Sequence, residues 1–178
     1  MADCFAGLDS IEKFCGGGNA PGLKTTIWIA GKVEITAIPA ADVDTSVVST
    51  DFTMRVEDAV GPPVVAAGVF KTIAISKING SWKVEPVGEG ENISYKVTIE
   101  AFVNKISSAA SYSLNATTGG EFIVLAQDKN GEKRIVGDLD EGASIKVGEQ
   151  TNDANGYPIT IEWDTPNLPL FYEGTIVT

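Results

Sequence analysis

The stretch Gly156-Tyr-Pro-Ile-Thr-Ile-Glu-Trp163 decides the class of fold. Tyr157, Ile159, Ile161 and Trp163 alternate with Pro158, Thr160 and Glu162. Such a set shares one side only where the side-chain period is two, as in a half-buried strand. The same pattern recurs upstream. Tyr95, Val97, Ile99 and Ala101 alternate with Lys96, Thr98 and Glu100, and Phe52, Met54 and Val56 with Thr53, Arg55 and Glu57. Ile27, Ile29, Gly31, Val33, Ile35 and Ala37 alternate with Trp28, Ala30, Lys32, Glu34 and Thr36, which predicts one long strand bent at Gly31.

Turn residues punctuate these runs. Gly61-Pro62-Pro63 breaks the chain before an extended run from Val64 to Ile75. Asn79-Gly80 predicts a hairpin joining that run to Trp82–Glu85, and Asp128-Lys129-Asn130-Gly131 predicts a second between Phe122–Gln127 and Lys133–Val136. Ile145–Val147 follows, then a polar turn through Asn155-Gly156, and Phe171–Val177 reads as a terminal strand after Pro166 and Pro169. The period lengthens once: Val103, Ile106, Ala110 and Leu114 stand at i, i+3, i+7 and i+11, predicting a helix over about 103–114 that Thr118-Gly119-Gly120 ends. Its serines make it a weak intrinsic helix, so packing on the sheet must hold it. The expected class is mainly β: a β-sandwich or β-barrel with one flanking α-helix, forming a single domain over residues 23–178. Residues 1–22 read as a helical N-terminal arm, with Cys4, Leu8, Ile11 and Cys15 on one stripe, followed by the Gly-rich hinge Gly16–Gly22.

Composition narrows function. In 178 residues, 13 Lys+Arg face 24 Asp+Glu, a net charge of −11, with no histidine and two cysteines. Without histidine there is no Ser-His-Asp, Cys-His or His-bearing zinc chemistry. The acidic balance opposes a basic nucleic-acid-reading surface. No run approaches the 18 or so apolar residues of a membrane span. Met1-Ala-Asp-Cys-Phe-Ala shows neither the positive nor the apolar region of a signal peptide, so no secretion is expected. Cys4 and Cys15 could pair, but in such a chain they more often remain thiols. The sequons at Asn92 and Asn115 carry little meaning without secretion.

Four motifs invite chemistry. Gly17 to Gly22 followed by Lys24-Thr25 nearly spells a phosphate loop, but Leu23 delays the lysine by one residue, and the element order is helix then strand where a phosphate loop needs the reverse. Asp138, Asp140 and Glu141, and separately Asn152, Asp153 and Asn155, offer hard oxygen ligands without EF-hand spacing, and read as solvated turns. Trp28, Trp82 and Trp163 read as core or interface anchors. No catalytic, cofactor-binding or metal-ligating residue is assigned, and the chain is not expected to be an enzyme.

The stretch Glu121–Gly131, then Lys133–Gly137, Asn155-Gly156-Tyr157 with Ile159 and Ile161, and Leu170-Phe171-Tyr172 resembles structural proteins of tailed phages and prophages of Bacteroidetes-type hosts. The order of elements is similar to that of phage major tail tube proteins. That resemblance implies a virion structural protein located in the phage tail and assembled in the host cytoplasm. It implies self-association into stacked, typically hexameric rings and contacts with other virion proteins. DNA would be a passing cargo that is not specifically bound. An acidic wall agrees with this, because it lets phosphates slide without sticking, and a hinged arm suits contact with a neighbouring subunit. A head-decoration, neck or tail-terminator protein is the alternative within this class. A carbohydrate-binding β-sandwich, with a tryptophan stacked on a sugar, is the alternative outside it.

Overall fold

The computed structural model describes residues 22–42, 46–49, 51–54, 66–67, 70–77, 80–89, 92–151 and 154–176. The expected arm and most of its hinge, including both cysteines, lie outside them. The chain is mainly β. Its strands are β1 (Leu23–Gly31), β2 (Ile35–Ala37), β3 (Val47–Val48), β4 (Thr53–Met54), β5 (Ala66–Ala67), β6 (Lys71–Ala74), β7 (Ser81–Val87) and β8 (Ser94–Asn104). After the helix α1 (Ser108–Asn115) come β9 (Glu121–Asp128), β10 (Lys133–Val136), β11 (Ala143–Val147), β12 (Gly156–Thr165) and β13 (Phe171–Tyr172).

The deciding stretch is β12, and it pairs antiparallel with β8 from Gly156↔Asn104 to Thr165↔Tyr95. Their facing apolar sets, Ile159, Ile161 and Trp163 with Val97, Ile99 and Ala101, lie in one core. From β12 the ladder continues through β11 to β9, and from β9 through β1 to β6. Beyond β6, Ile75 N–H donates to Thr25 O at 2.8 Å and Ser76 N–H to Phe102 O at 2.6 Å, which returns the path to β8. The sheet thus curls into a barrel-like wrap around the first core, joined at this seam by one hydrogen bond and not by a strand ladder. Each fully buried Ile or Val there stabilises the fold by about 1.5–3 kcal/mol.

β9 is the pivot. One of its edges pairs with β1; the other pairs with β10 near Val124–Gln127 and with β11 near Glu121–Phe122. Val124 and Ala126 face the barrel, while Ile123 and Leu125 face a second core with Ala30, Ile35, Val48, Phe52, Phe70, Ile135 and Tyr172. Burial on both faces explains why this strand reads as the unbroken run Phe-Ile-Val-Leu-Ala with no alternation. β10 carries β13 on its far side, and β13 carries β3 in parallel, which makes the sheet mixed. A small separate sheet orders β2, β4 and β5.

Four expectations are corrected. The run 27–37 is not one strand. Gly31 N–H donates to the Glu34 carboxylate at 3.0 Å, residues 32–34 form a single 3-10 turn, and the chain leaves in the second sheet. Val33, placed by the period on the buried face, is instead 78% exposed. Asn79-Gly80 does not join a hairpin, since β6 pairs with β1 and β7 with β8; Asn79 itself is outside the described residues. Two long partners outcompete a local turn signal here. The helix begins later than 103, because Val103 and Asn104 still pair with Tyr157 and Gly156. Ser107 then caps it, its hydroxyl accepting from Ala110 N–H at 3.2 Å. Leu114 is its buried residue, and Ile106 and Ala110 pack against the barrel core. The terminal strand is only Phe171–Tyr172, because Tyr172 O–H donates to Thr175 O and Thr175 N–H to Asp51, turning the chain back on itself.

The second hairpin stands where its residues put it. Lys133 pairs with Gln127, and the Asp128 carboxylate accepts from Gly131 N–H at 2.8 Å and Glu132 N–H at 3.0 Å. Gly131 holds the positive φ of 109° that this turn requires.

Candidate functional site

The motifs weighed in the sequence fall to structural roles. Lys24 and Thr25 are exposed on β1, followed by strand and not by a helix N-terminus, so no amide dipole faces a phosphate. In the acidic loop after β10, Asp138 accepts from Asp140 N–H and Glu141 N–H through one oxygen, while its own N–H donates to Glu141 O. That carboxylate caps its own turn. Lys32 reaches the same loop at Asp140 O and pairs with Glu121, which ties the 3-10 turn to it. Asn155 also works on backbone: its side-chain oxygen accepts from Ile106 N–H and its carbonyl from Lys105 N–H, which fixes the entrance to α1. Asn152 and Asp153 are outside the described residues. Among the described residues no three His, Cys, Asp or Glu side chains converge as metal ligands, and no helix is long and apolar enough to cross a membrane.

The tryptophans are packed. Trp163 is 8% exposed in the barrel core, half-buried Trp82 packs against the same core, and half-buried Trp28 packs on the second core. None of the three offers a fully open ring face to a sugar. Both Trp82 Nε1 and Trp163 Nε1 are buried without a hydrogen-bond partner, so two indole donors go unanswered inside the barrel.

Two charged clusters flank these cores. On the outer face of β8, β12 and β11, Glu162 pairs with Lys146 and with Lys96 (3.2 Å). Lys146, then Lys96, hold its carboxyl below the ordinary glutamate range. In the second core, burial pushes the Tyr172 phenol up to about 12, with Asp51 adding to the effect. Phe52 stacks on that ring at 4.8 Å, and Lys133 lies 5.3 Å from its centroid.

Sequence reasoning passed over Arg134. It stands on the barrel-facing side of β10, paired across with Ala126 and Phe171. Its guanidinium sits 4.4 Å from the Phe171 ring centroid and 5.9 Å from the Trp82 ring centroid, which brings the β10–β13 branch to β7. The sequence does place an Arg among aromatic-bearing strands, but nothing in its spacing says which strands meet.

Surface chemistry is apolar at several points. Val33, Val87, Ile93, Tyr112, Leu139 and Leu168 are exposed. Leu139 and Leu168 stand on either side of one groove of about 420 Å³, whose walls include Ile38, Pro39, Pro166 and Leu170. A second, wider groove of about 800 Å³ lies between α1 and the β1–β6 edge, with Val33 on its rim and Phe70, Ile73 and Phe122 among its walls. Asp138 and Asp140 also line the first groove, and Glu34 and Lys71 the second. What these surfaces can do chemically is bury against another apolar surface.

Compared with models of protein families, with curated proteins and with solved structures, the chain matches none.

Proposed function

We propose that this chain is a virion structural protein of a tailed phage, the subunit of a tail tube, and that it works by self-assembly into stacked rings around a channel for DNA. The observation that carries the reading is the groove between Leu139 and Leu168, two leucines 40% and 58% exposed beside further apolar walls. Such a largely apolar recess with exposed leucines fits a contact surface. The mainly β, barrel-like fold with one helix supports it, being of the β-sandwich or barrel class that the resemblance implies. The packing of Trp28, Trp82 and Trp163 on the two cores speaks against the stacking platform that the carbohydrate-binding alternative needs, although Trp163 also lines the groove. The net charge of −11 fits a conduit that DNA crosses without binding.

Negative-stain microscopy of the purified full-length chain over a concentration series tests this. Rings or tubes on the order of 100 Å wide are expected, the scale of six such domains around a channel. Monomers at every concentration would overturn the reading, as would glycan binding by a monomer that is lost on Trp82→Ala.

A further inference from the structure

Arg134 is the single arginine among the described residues, and its environment is lopsided. In a chain with 24 acids and 13 basic residues, four of the ten described lysines, Lys32, Lys83, Lys96 and Lys146, each hold a carboxylate, while the other six, five of them exposed, hold none among the described residues. Arg134 holds none: among the described residues no carboxylate lies within salt-bridge distance of its guanidinium, and no acceptor takes its N–H groups. The half-buried guanidinium is instead flanked by Phe171 and Trp82. A guanidinium fork is the group to which a carboxylate can accept two hydrogen bonds side by side. The guanidinium's donors therefore lack an acceptor here, and an ionised carboxylate, an acceptor only, is the chemistry that answers them.

We infer that Arg134 is the socket for an aspartate or glutamate side chain of a second copy of this chain, which rests on the self-assembly proposed above. Electrostatics selects that partner. Two copies of charge −11 repel each other, so a lasting contact between them forms where an unpaired cation on one meets an acid on the other. An arginine already held between aromatic rings is the kind of residue on which interface energy concentrates. The flanking rings also mean that little rotamer freedom is lost on docking.

The test uses the purified full-length chain, wild type against Arg134→Gln and Arg134→Lys, followed by sedimentation velocity across a concentration series at low and high salt. Arg134→Gln should raise the concentration for half-assembly by about 30-fold, the effect of one hot-spot side chain. Arg134→Lys should fall between, since it keeps the charge and loses the fork. High salt should weaken wild-type assembly more than that of Arg134→Gln. Circular dichroism melts check that each variant folds. If Arg134→Gln does not fold, phenylglyoxal labelling of the wild type reads the same site, with Arg134 modified about tenfold more slowly in assemblies than in monomers. Wild-type and Arg134→Gln assembly at equal concentrations, or equal labelling in both states, overturns the socket and leaves the assembly reading standing. A wild type that stays monomeric overturns both.

Discussion

Gly137→Ala should destabilise the fold well beyond the ordinary penalty of losing a glycine, because Gly137 sits where β9 exchanges one edge partner for another. Gly137 follows β10 at φ 96°, and the chain reaches β11 six residues after it. A Cβ built there would stand 2.5 Å from Phe122 O, 2.9 Å from Ala143 N and 3.3 Å from Ile123 Cδ1. The first two atoms are backbone of the Ala143↔Phe122 pair that fastens β11 to β9, so neither can swing away as a flexible side chain would. Positive φ costs an alanine about 1–2 kcal/mol. Moving the strands apart weakens one or two ladder hydrogen bonds, each worth about 1 kcal/mol, for a sum of about 3 kcal/mol. Gly131 supplies the control: φ is 109° there as well, and no atom lies within 4 Å of the added Cβ. Both substitutions also stiffen the unfolded chain, an effect of about 0.4–1 kcal/mol common to the two, so it cancels in their difference. The positive-φ cost is likewise common to both, leaving about 1–2 kcal/mol of ladder loss, so Gly137→Ala should melt about 2–8 °C below Gly131→Ala, at about 2–4 °C per kcal/mol for a chain of this length. The assay is a thermal melt by circular dichroism at one fixed protein concentration, since association would shift both curves. Coincident melting of the two variants would refute the claim that close approach at the β10–β11 exchange limits this position.

Two ionisable groups give the remaining expectations. Tyr172, raised to about 12 by burial and Asp51, has a folded pKa above its unfolded one. Its contribution to stability is therefore complete below about pH 10 and lost as pH rises from 10 toward 12. Denaturant titrations should show wild type losing stability across that window more steeply than Tyr172→Phe, and parallel curves would refute the assignment. Glu162, lowered by Lys146 and Lys96, has the opposite sign. Its contribution is complete above the unfolded pKa of about 4.3 and lost as pH falls through the folded value. Glu162→Gln should be less stable than wild type at pH 7, by under about 1 kcal/mol for a largely solvent-screened cluster, with the two converging in acid. A gap that persists at low pH would refute the ion-pair origin.

How much of this was legible in the sequence follows from the range of each signal. Alternation reports one strand facing one core, and it placed β8 and β12 because each has one buried and one solvated face. β9 was found by its hairpin turn and not by alternation, which burial on both faces erases. The Asp-Lys-Asn-Gly turn at 128–131 read correctly because its hydrogen bonds are internal, whereas Asn79-Gly80 misled because β6 and β7 each meet a longer partner from elsewhere in the chain. The 27–37 run hid its break because Gly31 and Val33 keep the period while the backbone leaves it, an event marked only by Glu34 reaching back to Gly31 N–H. Arg134 was the least legible of all. Its character depends on Phe171 and Trp82, 37 residues ahead of it and 52 behind, and on the lack of a carboxylate within salt-bridge distance among the described residues. A local pattern reports what a side chain is; only the fold reports what it lacks. A guanidinium without its carboxylate, in a chain with acids to spare, is the feature that most directly calls for a second molecule.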